Sequence, residues 1–193
     1  MNKLIAISGG IGSGKSIISH ILLYMGYPVY DCDSNARRLI DNSTSIKQAI
    51  CSSLGTECIS ADGTLDRGVV GHIVFNNPDK LQVLNSITHA DVKDDIRLWH
   101  QNQSARLSFV ETAILYQSGI DKMVDAVIEI TAPFDTKVQR IMHRNNIEYQ
   151  DVVARINSQN YSVDTPHANV YTILNDDIHA VMPQLINILG KLV

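Results

Sequence analysis

Gly9-Gly10-Ile11-Gly12-Ser13-Gly14-Lys15-Ser16 satisfies the spacing G-x-x-x-x-G-K-S/T, and the residues on either side of it decide the fold. Before it, Lys3 to Ser8 is a short apolar run ending on glycines, which reads as a buried strand. After it, Ile17, Ile18, Ile21, Leu22 and Met25 recur at helical spacing, and Gly26 supplies a stop. Strand, glycine loop and helix together form the context in which backbone N–H groups converge on phosphate oxygens. Glycine admits backbone conformations closed to other residues, and the helix N-terminus adds its positive end. Gly10, Ile11, Gly12, Ser13 and Gly14 would supply amides, Lys15 would reach the β- and γ-phosphates, and the Ser16 hydroxyl would ligate magnesium. The competing reading is a glycine-rich turn beside an ordinary surface lysine.

Working outward, strands and helical stretches alternate. Pro28 to Asp31 reads as a second strand, followed by a helix from Ser34 to Ile40 that Asp33 or Ser34 would cap. Residues from about Ser45 to Ser104 are helix-like, with a turn at Asp62-Gly63 and a helix start at Asn77-Pro78. Arg106 to Glu111, Asp125 to Thr131 and Val170 to Leu174 are the remaining strand candidates. Between them lie helices opening at Pro133-Phe134-Asp135 and covering Glu148 to Gln159. A last helix must kink or start late at Pro183. Parallel strands need crossover connections, so this alternation predicts an α/β fold with a five-stranded, mainly parallel sheet sandwiched by helices.

With 193 residues the chain is sized for a single domain, read here as 1–193 with a helical insert over about 45–104. Hydrophobic residues at 45% and charged residues at 19% support a sizeable core and exclude a disordered chain. The net charge of −4 argues against a nucleic-acid partner. Cys32, Cys51 and Cys58 fit neither a disulfide framework nor a zinc site, so they read as reduced thiols. No apolar run reaches a membrane span and no signal-peptide pattern precedes the glycine loop, so a cytoplasmic protein without membrane association is expected, with a monomer favoured.

The run ISGGIGSGKS (residues 7–16), PVYDCD (28–33), ADGTLDR (61–67), NSITHADV (85–92) and the stretch Gln139, Arg140, Arg144, Arg155, Gln159 resemble, in this order, the dephospho-coenzyme A kinase family. The resemblance spans nearly the whole chain. It implies a P-loop kinase in which the γ-phosphoryl of ATP passes to the ribose 3′-hydroxyl of dephospho-coenzyme A, with Mg2+, an acceptor-binding helical insert and an arginine-bearing lid over about 140–165. Phosphoryl transfer asks for a group that orients or deprotonates the hydroxyl, cations that hold developing charge, and a lid against water.

Asp33 matches the family's acidic position facing the acceptor hydroxyl, with helix capping as its alternative. Asp31 beside it would help organise metal-bound water. Arg140 and Arg144, four apart on one helix face, would close on phosphates or form a solvated basic face. Arg155 would equally be a surface residue or pair with Asp151, four positions earlier on the same helix. Glu111, ending a strand, would hold magnesium through water beside Ser16, a role for which Asp33 is the alternative, or stand in solvent. The resemblance further places His89 near the acceptor and Asn175 in the adenine-side loop, and Ser8, which could also orient a phosphate, Asp31, Arg67 and Glu111 complete the expected acceptor-binding set. Ser8 alternatively finishes its strand, and His89 alternatively is a hydrogen-bonded structural histidine.

The chain departs from the family pattern at Ala90, where a proline is usual, at Gln117, usually acidic, and at Asn169, usually aspartate. Rival functions are another P-loop kinase acting on a nucleoside monophosphate, shikimate or gluconate, and a homologue that binds nucleotide without turnover. A nucleotide-dependent switch would carry an Asn-Lys-x-Asp tetrapeptide, and none is present.

Overall fold

A computed structural model describes residues 2–75, 77–157 and 166–193. In chain order the elements are β1 (Lys3–Ser8), α1 (Lys15–Tyr24), β2 (Val29–Asp31), α2 (Cys32–Asn42), α3 (Thr44–Leu54), α4 (Arg67–Phe75), α5 (Pro78–Gln101), β3 (Leu107–Glu111), α6 (Leu115–Ser118), β4 (Ala126–Thr131), α7 (Phe134–Asn145), α8 (Tyr149–Asn157), β5 (Val170–Leu174) and α9 (Val181–Leu192). Two compact units result, one of Met1–Tyr30 with Asn102–Val193 and one of Asp31–Gln101.

The first unit is built on the sheet, in the order β2-β3-β1-β4-β5, with β1 pairing in parallel to both β3 and β4, and β4 in parallel to β5. The architecture is therefore the α/β fold with a five-stranded, mainly parallel sheet that the alternation implied. As the central strand, β1 buries Leu4, Ile5, Ala6 and Ile7, which explains why it reads as a continuous apolar run without alternation. Ile5, Ile7, Phe109, Ile128 and Ile130 meet Ile18 and Leu22 of α1 and Leu185, Ile188, Leu189 and Leu192 of α9. Each such side chain contributes about 1.5–3 kcal/mol on burial. Tyr27 packs edge-on against Phe109 at 5.5 Å between ring centres. Pro183 falls in the first turn of α9, so the helix starts late and needs no kink.

In the second unit α2–α5 enclose Ile46, Ile50, Leu54, Cys58 and Val70. The Asp62-Gly63 turn is closed by an antiparallel bridge between Ile59 and Leu65 and by Asp62 accepting from Thr64. Helical structure sets in at Cys32, two residues ahead of the expected start at Ser34, and the helical unit begins at Asp31, ahead of the insert expected from about Ser45. One expectation is corrected: α2 is capped by Asp31, which accepts from the N–H of Asp33 at 3.0 Å and of Ser34 at 3.4 Å, and not by Asp33 or Ser34. The cap falls there because Asp31 keeps extended backbone while helical geometry begins one residue later. Cysteines 32, 51 and 58 are free thiols.

Candidate active site

The glycine loop leaves β1 at Ser8 and enters α1 at Lys15, and its bend is closed by Ser13 N–H donating to the Gly10 carbonyl at 3.2 Å. Gly14 caps α1 at φ 95°, in the left-handed region. A β-carbon at Gly14 would sit 2.1 Å from Asn175 Nδ2, and one at Gly9 would sit 2.4 Å from the Ile130 carbonyl oxygen, so glycine is required at both points by close packing as well as by conformation. Lys15 donates its ammonium to the carbonyls of Gly9 at 2.8 Å and Gly10 at 3.3 Å, folded over the loop it is expected to serve. The Ser16 side chain, on the first turn of α1, is exposed.

The outer side of the loop is held by α7 and by the segment after β5. Arg140 Nη1 donates to the carbonyls of Gly12 at 3.3 Å and Ser13 at 3.4 Å, while Nη2 donates to Asn175 Oδ1 at 3.2 Å and to Asp177 at 2.5 Å. Buried Asn175 in turn donates Nδ2 to the Ser13 carbonyl at 2.8 Å. Both residues were expected on the nucleotide. In the structure the terminal guanidinium nitrogens of Arg140 rest on the loop carbonyls, Asn175 and the Asp177 carboxylate. Arg144, four residues on, is exposed and donates to Asn145 Oδ1, so the two arginines share α7 but not a target. Val138 and Ile141 of α7 pack with Val152 and Ile156 of α8 and with Ile11 of the loop. Arg155 lies exposed on α8, and Gln159 falls outside the described residues.

Glu111 closes β3 level with Ile7 of β1, and the buried Ser8 pairs in register with Glu129 of β4. Sequence reasoning missed Glu129. Its carboxyl opens, with Ser8, Gly9, Gly10, Tyr116 and His167, onto a cavity of about 560 Å³. Burial pushes its pKa up, opposed in part by a hydrogen bond with Ser8 and by the charge of Lys15. The available signal was a lone carboxylate inside the apolar run AVIEIT, where a solvent-facing polar residue has no place in an interior strand. Gln117 lines the same cavity as a neutral side chain. Following β5, Asp176 accepts from the N–H groups of His179 and Ile178 and from the His179 ring, which holds its carboxyl down to about 2.

The other expected residues belong to the helical unit. Asp31 caps α2, and Ser34 Oγ also donates to it at 2.5 Å. That frees Asp33, exposed in the first turn, from the capping role that was its alternative. Arg67 opens α4 and pairs with Asp41 at 2.6 Å, an exposed ion pair. His89, half-buried on α5, has its pKa lowered by burial and by neighbouring Lys93. No cluster of three or more His, Cys, Asp or Glu able to hold a metal occurs among the described residues. No helix there is long and apolar enough to cross a membrane.

A parallel sheet carrying this loop at the end of its central strand, with α1 behind it and Arg140 of α7 on its carbonyls, is the architecture of a P-loop nucleotide-binding protein. The family description that matches residues 3–179 is dephospho-CoA kinase. A dephospho-CoA kinase of Porphyromonas gingivalis is 36% identical over 186 residues, covering 96% of this chain and 92% of its own length. One of Bacteroides fragilis is 31% identical over 189 residues, covering 97% and 92%. Among solved structures, a Thermus thermophilus protein superposes with a TM-score of 0.79 at 26% identity, covering 98% of this chain and 95% of that one. The chain belongs to the dephospho-coenzyme A kinase family. It is a kinase of the last step of coenzyme A biosynthesis.

Proposed function

We propose that this chain transfers the γ-phosphoryl group of ATP to the ribose 3′-hydroxyl of dephospho-coenzyme A, acting over residues 1–193 as one kinase domain. The observation that carries the reading is the Gly9–Ser16 loop, bent at the end of the central strand with its Gly12 and Ser13 carbonyls tied outward, in a chain of this family. Carbonyls drawn to the outside leave the amide direction for the triphosphate, and the α1 N-terminus adds its positive end.

Lys15 exchanges the Gly9 and Gly10 carbonyls for the β- and γ-phosphate oxygens when the nucleotide arrives. Asp33, not consumed by a cap, accepts the proton of the attacking 3′-hydroxyl. Arg140 serves from behind the loop, and Arg144, an exposed lid cation, is left to approach the phosphates. Ser8 and Glu111 on the sheet, and Asp31, Arg67 and His89 in the helical unit, serve acceptor binding. The α7–α8 pair, anchored to Ile11, restricts water.

The candidate metal ligands are oxygens only, the Ser16 hydroxyl with the Glu111 or Asp33 carboxylate, a donor set that suits a hard cation such as Mg2+. Bound there, the ion would neutralise charge on the phosphate oxygens. ATP and dephospho-coenzyme A are the partners, with neither nucleic acid nor membrane, in the cytoplasm and as a monomer.

An acceptor panel tests the reading. With ATP and Mg2+ supplied, dephospho-coenzyme A is expected to be consumed one-for-one with ATP, while shikimate, gluconate and nucleoside monophosphates are not. Turnover confined to one of those other acceptors would replace the assignment.

A further inference from the structure

Asp177 stands immediately beyond the Asn175-Asp176 pair at φ 65°, a backbone conformation that a residue with a side chain adopts only at some expense in free energy. Its carboxylate meets Arg140 Nη2 at 2.5 Å. That same nitrogen donates to Asn175 Oδ1, and the other terminal nitrogen donates to the Gly12 and Ser13 carbonyls. Asn175 closes the circuit onto the Ser13 carbonyl. Two segments distant in sequence, α7 and residues 175–177, thus converge on two peptide groups of the phosphate-binding loop, and the outermost member is a carboxylate facing largely to solvent.

A guanidinium has five donors in one plane, so fixing one edge fixes where the other points. Within this network Asp177 and Asn175 hold one edge of Arg140 at Nη2 while the loop carbonyls take Nη1. Without that anchor the side chain has rotameric freedom to leave the carbonyls, and the peptide groups at Gly12 and Ser13 lose the partners that hold their oxygens away from the cradle. Because each peptide N–H points opposite to its C=O, an outward oxygen at residue 13 directs the Gly14 N–H inward, while the Ser13 N–H closes the bend onto the Gly10 carbonyl.

We propose that Asp177 is a positioning residue for nucleotide binding: it pins Arg140 against the Gly12 and Ser13 carbonyls, and through them presets the loop amides for the β- and γ-phosphates. The role rests on nucleotide binding by this loop and is independent of which acceptor the enzyme uses. Asp177 touches no substrate, and its effect passes through Arg140.

The experiment measures ATP affinity by calorimetry on the full chain without any acceptor, and then steady-state kinetics, for Asp177→Asn, Asp177→Gly, Arg140→Gln and the two double variants. Glycine adopts φ 65° freely, so Asp177→Gly removes the carboxylate without endangering the fold. Both Asp177 variants are expected to weaken ATP binding by about threefold to tenfold, the range for a charge-assisted contact that is partly screened by solvent. The KM for ATP should rise in step, with a much smaller change in kcat at saturating ATP. In the Arg140→Gln background the Asp177 substitutions should add almost nothing. Three results would overturn the proposal: unchanged ATP affinity, a loss confined to kcat, or an Asp177 effect of full size when Arg140 is already gone. If the acceptor assignment fails instead, the calorimetric arm still reads Asp177 alone.

Discussion

Replacing Gly14 by alanine isolates the packing that shapes the loop. A side chain at φ 95° in the left-handed region costs about 1–2 kcal/mol in backbone energy alone. The added methyl would stand 2.1 Å from Asn175 Nδ2, so the amide must swing away from its 2.8 Å bond to the Ser13 carbonyl. Breaking a buried hydrogen bond of this kind costs a further 1–3 kcal/mol or so. The sum is roughly 2–5 kcal/mol, which for a chain of this size lowers the melting temperature by roughly 5–15 °C. Differential scanning calorimetry on Gly14→Ala is compared with Gly10→Ala, where an added β-carbon meets nothing within 4 Å. The Gly10 variant should melt within about 2 °C of the parent, a shift corresponding to less than about 1 kcal/mol. Equal melting temperatures for the two variants would refute the reasoning, since it requires the Asn175 side chain and the Gly14 conformation to be mutually fixed.

Asp33→Asn should leave ATP affinity near that of the parent while lowering kcat by roughly two to four orders of magnitude, the range for loss of a general base. Near-normal kcat would take Asp33 out of the mechanism. Burial holds the Glu129 carboxyl above its ordinary pKa, so its charge is tolerated less well in the folded chain than in the unfolded one. That penalty is absent below the ordinary carboxyl range and grows as pH rises from the unfolded pKa toward the folded one. Glu129→Gln is therefore expected to melt higher than the parent at pH 7 and to lose the advantage as pH approaches about 4. A lower melting temperature at pH 7 would contradict the sign. Arg67→Ala removes an exposed pair with Asp41 and should cost less than about 1 kcal/mol of stability, readable by urea titration. If Arg67 binds the acceptor, the same variant raises the KM for dephospho-coenzyme A, whereas an unchanged KM confines it to the ion pair.

Much of the fold was legible because its signals are local. A continuous apolar run before a glycine loop gave β1 to the residue, and Pro78 and Phe134 opened helices where the turn chemistry placed them. The four-residue α6 was not foreseen, since so short a segment carries no periodicity to read. The cap of α2 went to Asp31 because choosing among Asp31, Asp33 and Ser34 depends on where extended backbone ends, a one-residue question that composition does not answer. In the site, Gly9–Ser16 was readable from spacing. The partners of Arg140 were not: its acceptors lie 127, 128, 35 and 37 residues away in sequence, and only the folded sheet brings them together. Glu129 escaped for a related reason, because its environment is made by Ser8 and Lys15 from another part of the chain.

The central claim is that the loop delivers the terminal phosphoryl group of ATP to a sugar hydroxyl. Rapid-quench measurement of a single turnover with ATP labelled in the γ-phosphate, Mg2+ and dephospho-coenzyme A tests it most directly. The label should appear in the 3′-phosphate of coenzyme A at the rate at which ATP disappears. Label released only as inorganic phosphate, at a rate indifferent to the acceptor, would contradict it.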